Sequence, residues 1–425
     1  MSRSCTRFLA TSLLAALAIT TAAAGGALAA SPSERPDGTW VQLAALPEIL
    51  DAPVFALAVN PTDRLQVLVG TGSGSIYRTT DGGLTWFQTA KGAGRGIVTI
   101  AFSPLKAGLV LAGTRGDGTF RSADAGITWA RLAGIPPGTT RSFGFAKTVT
   151  LAGTDSGVFS SRDGITWTAL GLKDLRVNAI AVAAINDPPR FLAGADASKA
   201  NEALPLYQSP DGGVTWAPVK SLGSSTMIGS AMAYGGPLAA PASVRPLVVG
   251  TNAGAFTSPD NGGTWTQLAG LPNVDYNSIV YSATHPDRYY VASDGGGSDQ
   301  GGLWATTDSG ASFRGMATPL PSVTALGVSA EDVPTLYLAT FRPLDHAVLL
   351  WTLRDTGGRP LLPAAGVPAP VLGPVGVATT STAPTGALWQ RFLRGPEAPY
   401  LAVSALALLI LLMAGVAYLR RGDKR

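Results

Sequence analysis

The chain has 425 residues, enough for one large domain or two to three average ones. With 52 Gly, 31 Pro, 46% hydrophobic and only 14% charged residues, it is turn-rich and β-leaning, which excludes intrinsic disorder and argues against a long helical bundle. The net charge of +4 belongs to the ends: without Arg3, Arg7, Arg420, Arg421, Lys424, Arg425 and Asp423 there remain 25 basic and 26 acidic residues, so bulk charge argues against a nucleic-acid partner.

In chain order, residues 1–29 read as a signal peptide. Arg3 and Arg7 precede an apolar run from Phe8 to Ala24, and the small residues ending at Ala29 make a cleavage site. Cys5, the single cysteine, lies inside this segment, so the exported chain carries no disulfide and no thiolate metal site.

Residues 37–358 are a repeat. TTDGGLTW, SADAGITW, SRDGITW, SPDGGVTW, SPDNGGTW and TTDSGASF recur, and their aspartates, Asp81, Asp124, Asp163, Asp211, Asp260 and Asp308, stand 43, 39, 48, 49 and 48 residues apart. A period of that length with strand-like content means propeller blades. In the second unit, IVTIAFSP, LVLAGT, GTFRS and TWARL supply the innermost, second, third and outer strands. The motif is then the turn between the third and outer strands, where Asp accepts backbone N–H bonds, Ser or Thr adds a hydroxyl and Gly takes positive φ. Its Trp offers a large apolar face to a neighbour, worth roughly 2 to 3 kcal/mol on burial.

After the sixth motif three more strands occur, within Ser322 to Val328, Thr335 to Thr340 and Ala347 to Leu353, ending in a half-motif at Asp355 with no Thr-Trp after it. The missing half is Gly38 to Leu43, so the expected fold is all-β, a seven-bladed β-propeller closed by an N-terminal strand, which removes the sheet edges. Residues 359–399, with eight prolines, read as a stalk, and residues 400–419, uncharged and apolar, as a C-terminal transmembrane helix. The basic tail 420–425 then lies in the cytoplasm, which makes the protein an exported, single-pass membrane protein with its propeller outside.

The S/T-x-D-x-G-x-T-W strings, preceded by turns such as VGTGSGSIY and AGTDSGVF, resemble the Asp-box (BNR) repeats of sialidases, sortilin-type receptors, xyloglucanases and photosystem II assembly-factor propellers. A single ring of short blades is most similar to the assembly-factor type, which implies a non-catalytic binding protein. The sialidase likeness implies instead a glycoside hydrolase, for which Tyr276 as nucleophile, Glu202 beside it and Asp117 as acid are the available trio. The arginine-isoleucine-proline element of sialidases is absent.

The site expected from blade geometry is a set of arginines. Arg95, Arg141 and Arg176 stand at the start of three successive innermost strands and Arg115 in the adjacent hairpin, which gathers four guanidinium groups on one sector of one rim. Arginine forks suit carboxylates and phosphates, so a protein or acidic ligand is the expected partner. No cofactor or metal is expected: His285 and His346 stand alone, and Asp294 to Asp299 resembles a calcium loop only loosely.

Overall fold

The structure, a computed structural model, describes residues 37–362 apart from positions 51, 93–94, 184–187, 196–205, 220–227, 235–245, 286 and 298–299. The expected signal peptide, membrane helix and cytoplasmic tail, and nearly all of the stalk, lie outside the described residues. Among the described residues, no helix is long and apolar enough to cross a membrane.

Seven four-stranded antiparallel sheets make up the fold. Blade 2 contains Ile97–Phe102, Val110–Thr114, Thr119–Ser122 and Ala130–Arg131, close to the four strands expected from its sequence. The second strands, such as Val110–Thr114 and Leu247–Thr251, are buried on both faces, and this explains why they read as unbroken apolar runs rather than alternating ones. Each innermost strand neighbours the next around the channel, and the first, Ala56–Asn60, also neighbours the last, Val323–Val328, so the ring is closed.

The core is divided rather than central. Seven hydrophobic clusters form, one between each pair of adjacent blades. The repeated turn builds them. Asp81 shows the pattern: one carboxylate oxygen accepts the Leu84 and Thr85 amides at 3.0 Å and the Thr79 hydroxyl at 2.7 Å, while the other accepts the Thr85 hydroxyl at 2.6 Å. Gly83 has φ +89°, and a Cβ there would lie 2.7 Å from Leu43 of the preceding blade, so this glycine is required both by conformation and by close approach.

The following tryptophan reaches back one blade. The indole N–H of Trp86 donates to Ala44 O at 3.0 Å, that of Trp129 to Thr89 Oγ1 at 3.2 Å, and that of Trp216 to Leu170 O at 3.4 Å. Burial of these rings is uneven: Trp167 and Trp86 are 4% and 8% exposed, whereas Trp129, Trp216 and Trp265 are half-buried.

Closure follows the sequence reading, with one correction. Val41–Gln42 pairs with Ala347–Arg354 in the register Val41↔Thr352 and Gln42↔Trp351, and the Trp40 indole donates to Ala317 O of blade 6 at 2.6 Å. Asp355, expected as a seventh member of the motif, does not make the same turn. It is 4% exposed and reaches instead into blade 6, accepting the Tyr290 hydroxyl at 2.8 Å and the Arg314 guanidinium at 3.1 and 3.2 Å. The physical reason is the missing Thr-Trp: the turn after Asp355 donates one amide, Gly357 N–H at 3.0 Å, so the carboxylate takes partners from a neighbour. Beyond Gly358 the chain stays with the ring, because Leu361 forms a parallel bridge to Thr39.

Candidate functional site

In an up-and-down blade, the loops leading into the innermost strands and the hairpins joining second to third strands share one face, and the aspartate turns occupy the other. The first face carries the arginines. Asp155, in the blade 3 hairpin, is their centre: it accepts the Thr139 amide at 2.9 Å and a hydrogen bond from Arg141, and Arg176 Nε stands 3.5 Å away. Burial works against ionisation of this carboxyl, but the Thr139 amide and Arg141 outweigh it and hold it below its ordinary value.

Arg95 and Arg115 are placed differently. The Arg95 amide donates to Asp117 at 3.0 Å and the Arg115 amide to Gly96 O at 2.9 Å, so the backbones of the loop and hairpin are tied together. Their guanidinium groups are exposed and make no ion pair among the described residues. The structure thus brings Arg141 and Arg176 onto one carboxylate, and sets Arg95 and Arg115 beside each other through their main chains.

Arg115 and Arg141 also line the mouth of the central channel, a cavity of about 410 Å³ completed by Phe55, Val98, Asn277 and Thr324. Below it a narrower space of about 230 Å³ continues between the innermost strands. Phe55, 43% exposed, supplies an apolar wall. Asn277 donates to Val323 O at 3.0 Å, while its own carbonyl oxygen is buried without a partner. Sequence reasoning missed Phe55, Asn277, Thr324 and Asp155; the first three occupy positions at the head of innermost strands equivalent to those of the arginines, which was the available clue.

Of the hydrolase trio, Tyr276 is not presented to this channel. Tyr276 is fully buried, its hydroxyl donates to Pro272 O at 2.7 Å, and its ring lies 5.6 Å from Trp304 in an edge contact. Burial pushes the phenol well above its usual pKa, the opposite of what a nucleophile needs. Asp117 is engaged with the Arg95 amide, and Glu202 lies outside the described residues. His285 stands 3.9 Å from Asp332, and the described residues contain no His, Cys or acidic cluster able to hold a metal.

No protein-family model matches the chain, and no curated protein matches it by sequence. Solved structures do. U3-55K aligns with 76% of this chain and 100% of its own at 10% identity and a TM-score of 0.55. YCF48 bound to D1 peptide aligns with 74% of this chain and 96% of its own, at 16% identity and a TM-score of 0.51. Against an ancestral GH74 enzyme the TM-score is 0.44 at 16% identity, with 72% of this chain aligned, and the chain spans 55% of that enzyme's length. Identities this low show the fold alone.

Proposed function

We propose that the protein is an exported, membrane-anchored propeller that binds an acidic segment of another protein on the rim of blades 2 to 4 and performs no chemistry. The observation that carries this is the exposed Arg95 and Arg115 pair, without an acidic side-chain partner among the described residues, beside a channel mouth that Arg115 shares with Arg141 and Phe55. A guanidinium at such a mouth forms charge-assisted bonds with a carboxylate. Asp155 holds Arg141 and Arg176 in place for a second contact. That YCF48, of the same fold, has been solved with a D1 peptide supports a peptide over a small molecule.

The test is fluorescence anisotropy with two peptides of one sequence, one ending in acidic residues and a free carboxylate, the other in neutral residues and an amide. The acidic peptide is expected to bind, to weaken about tenfold with Arg115→Ala as a charged hydrogen bond is lost, and to weaken further with salt. Equal binding of both peptides, or no effect of Arg95→Ala and Arg115→Ala, refutes the rim as the site. Turnover of fluorogenic sialosides, abolished by Tyr276→Phe, would establish the hydrolase reading instead. Protease treatment of intact cells tests the topology: the propeller is expected to be released from outside by cleavage between residues 363 and 399, and an epitope placed after Arg425 to survive.

A further inference from the structure

The channel mouth is built by a repeated irregularity. In blades 2, 3, 4 and 7 the innermost strand carries one extra residue at its head, because its register on the second strand slips between Ile97 and Thr99, Thr140 and Ser142, Val177 and Ala179, and Val323 and Ala325. The extra residues are Val98, Arg141, Asn178 and Thr324. A bulge of this kind breaks the alternation of faces along a strand and re-aims a side chain. Val98, Arg141 and Thr324 all line the mouth, together with Phe55 and Asn277, which stand immediately before the innermost strands of blades 1 and 6.

The result is a collar around the channel axis with two kinds of wall. Phe55 and Val98, on neighbouring blades, are apolar, and Phe55 is 43% exposed within a concave site rather than on a convex surface. Arg141 and Arg115 adjoin them and carry the charge. On the other side the polar groups bond to the wall itself: Thr324 Oγ1 donates to Val54 O at 2.6 Å and the Asn277 amide to Val323 O. Among the described residues no acidic side chain lines the mouth.

A carboxylate held by Arg115 and an apolar group set against Phe55 and Val98 would share one cavity of about 410 Å³, so they must come from the same or adjoining residues. Because the collar is contributed by blades 1, 2, 3, 6 and 7, it encloses a side chain that enters along the axis. Single apolar anchors seated in such pockets carry much of the energy of an interface. We propose that the channel mouth is a pocket for one apolar side chain of the bound segment, from a residue adjoining the acidic one that Arg115 holds. The inference rests on the rim as the binding site and adds the second half of the partner's chemistry, an apolar residue beside an acidic one.

Fluorescence anisotropy on the full chain tests it, with the acidic peptide made in two versions that place leucine or serine next to the acidic residues. The leucine version is expected to bind about tenfold more tightly, through burial of one aliphatic side chain. Phe55→Ser is expected to remove that preference and Phe55→Leu to keep it, with thermal melts recording that each variant folds. Equal binding of the two versions, with Arg115→Ala still weakening both, overturns the pocket and leaves the rim standing; no binding of either version overturns both. A benzoylphenylalanine in place of the leucine is expected to cross-link to the unaltered chain within residues 54–57 or 97–100. Cross-links confined to the hairpin at 115–118 would put the side chain outside the mouth and overturn the proposal, whatever Phe55→Ser does to folding.

Discussion

The aspartates of the repeated turns spend their charge locally. At Asp124 burial opposes ionisation, but the hydroxyl and amide of Thr128 together with Ser122 and Ile127 outweigh it and bring the carboxyl to about 2. Asp211, held chiefly by Thr215, and Asp308, held chiefly by Ser312, are also at about 2. A carboxyl depressed in the folded state stabilises that state above its unfolded value near 4 and ceases to do so as the pH falls through its folded value. The denaturant midpoint is therefore expected to hold down to about pH 4 and to fall steeply toward pH 2. A combined Asp124→Asn and Asp308→Asn variant should flatten that fall; an unchanged profile would show that the turns do not carry it. For the tryptophans, uneven burial predicts an uneven response: Trp167→Ala is expected to cost about 3 to 5 kcal/mol and the half-exposed Trp129→Ala about 2, read from urea unfolding. These turns were legible in the sequence because every partner lies within four residues. Asp155 was not, because the arginines that meet it lie 14 and 21 positions away and only the folded ring shows the contact.

At the scale of the element, the closing strand and the Asp355 contact do separate things. The strand covers the long apolar edge Ala347–Arg354, which would otherwise be free to pair with another molecule. Deleting residues 31–45 is expected to produce aggregates on size exclusion, a larger effect than loss of a short terminal piece suggests. Asp355 joins that edge to blade 6 through Arg314 and Tyr290. Asp355→Ala leaves the partly buried Arg314 without its carboxylate and is expected to cost about 3 kcal/mol, whereas Asp81→Ala, at a less buried carboxylate within a local turn, should cost less. Similar losses in both would mean that the blade 6 contact adds nothing. The strand was legible because the first and last half-motifs are complementary strings. The redirected carboxylate was not, since Tyr290 and Arg314 precede it by 65 and 41 residues and neither belongs to a motif.

For the whole molecule, the division of the core into seven clusters, each between two blades, implies that the ring is held by nearest-neighbour contacts rather than by one centre. Limited proteolysis is expected to cut first within the proline-rich residues 363–399, read from sequence as a stalk, and leave a resistant body that includes Leu361; an early cut inside a blade would contradict the described pairing. Blade number was legible from six periodic motifs and one split between the two ends, whereas the channel mouth was legible only as a sector, because Phe55, Asn277 and Thr324 carry no charge to mark them. One departure from repetition, the Asp355 contact with blade 6, bears on how such a ring can change its size. Between like blades, the turn of one is interchangeable with the turn of the next, so duplication or loss of a whole unit there would recreate the same contacts. At the seam no other unit can substitute, since Tyr290, Arg314 and the N-terminal strand meet nowhere else. A lineage altering its number of blades would therefore be expected to do so in blades 2 to 5, leaving the clasp between blades 6 and 7 and the first strand intact.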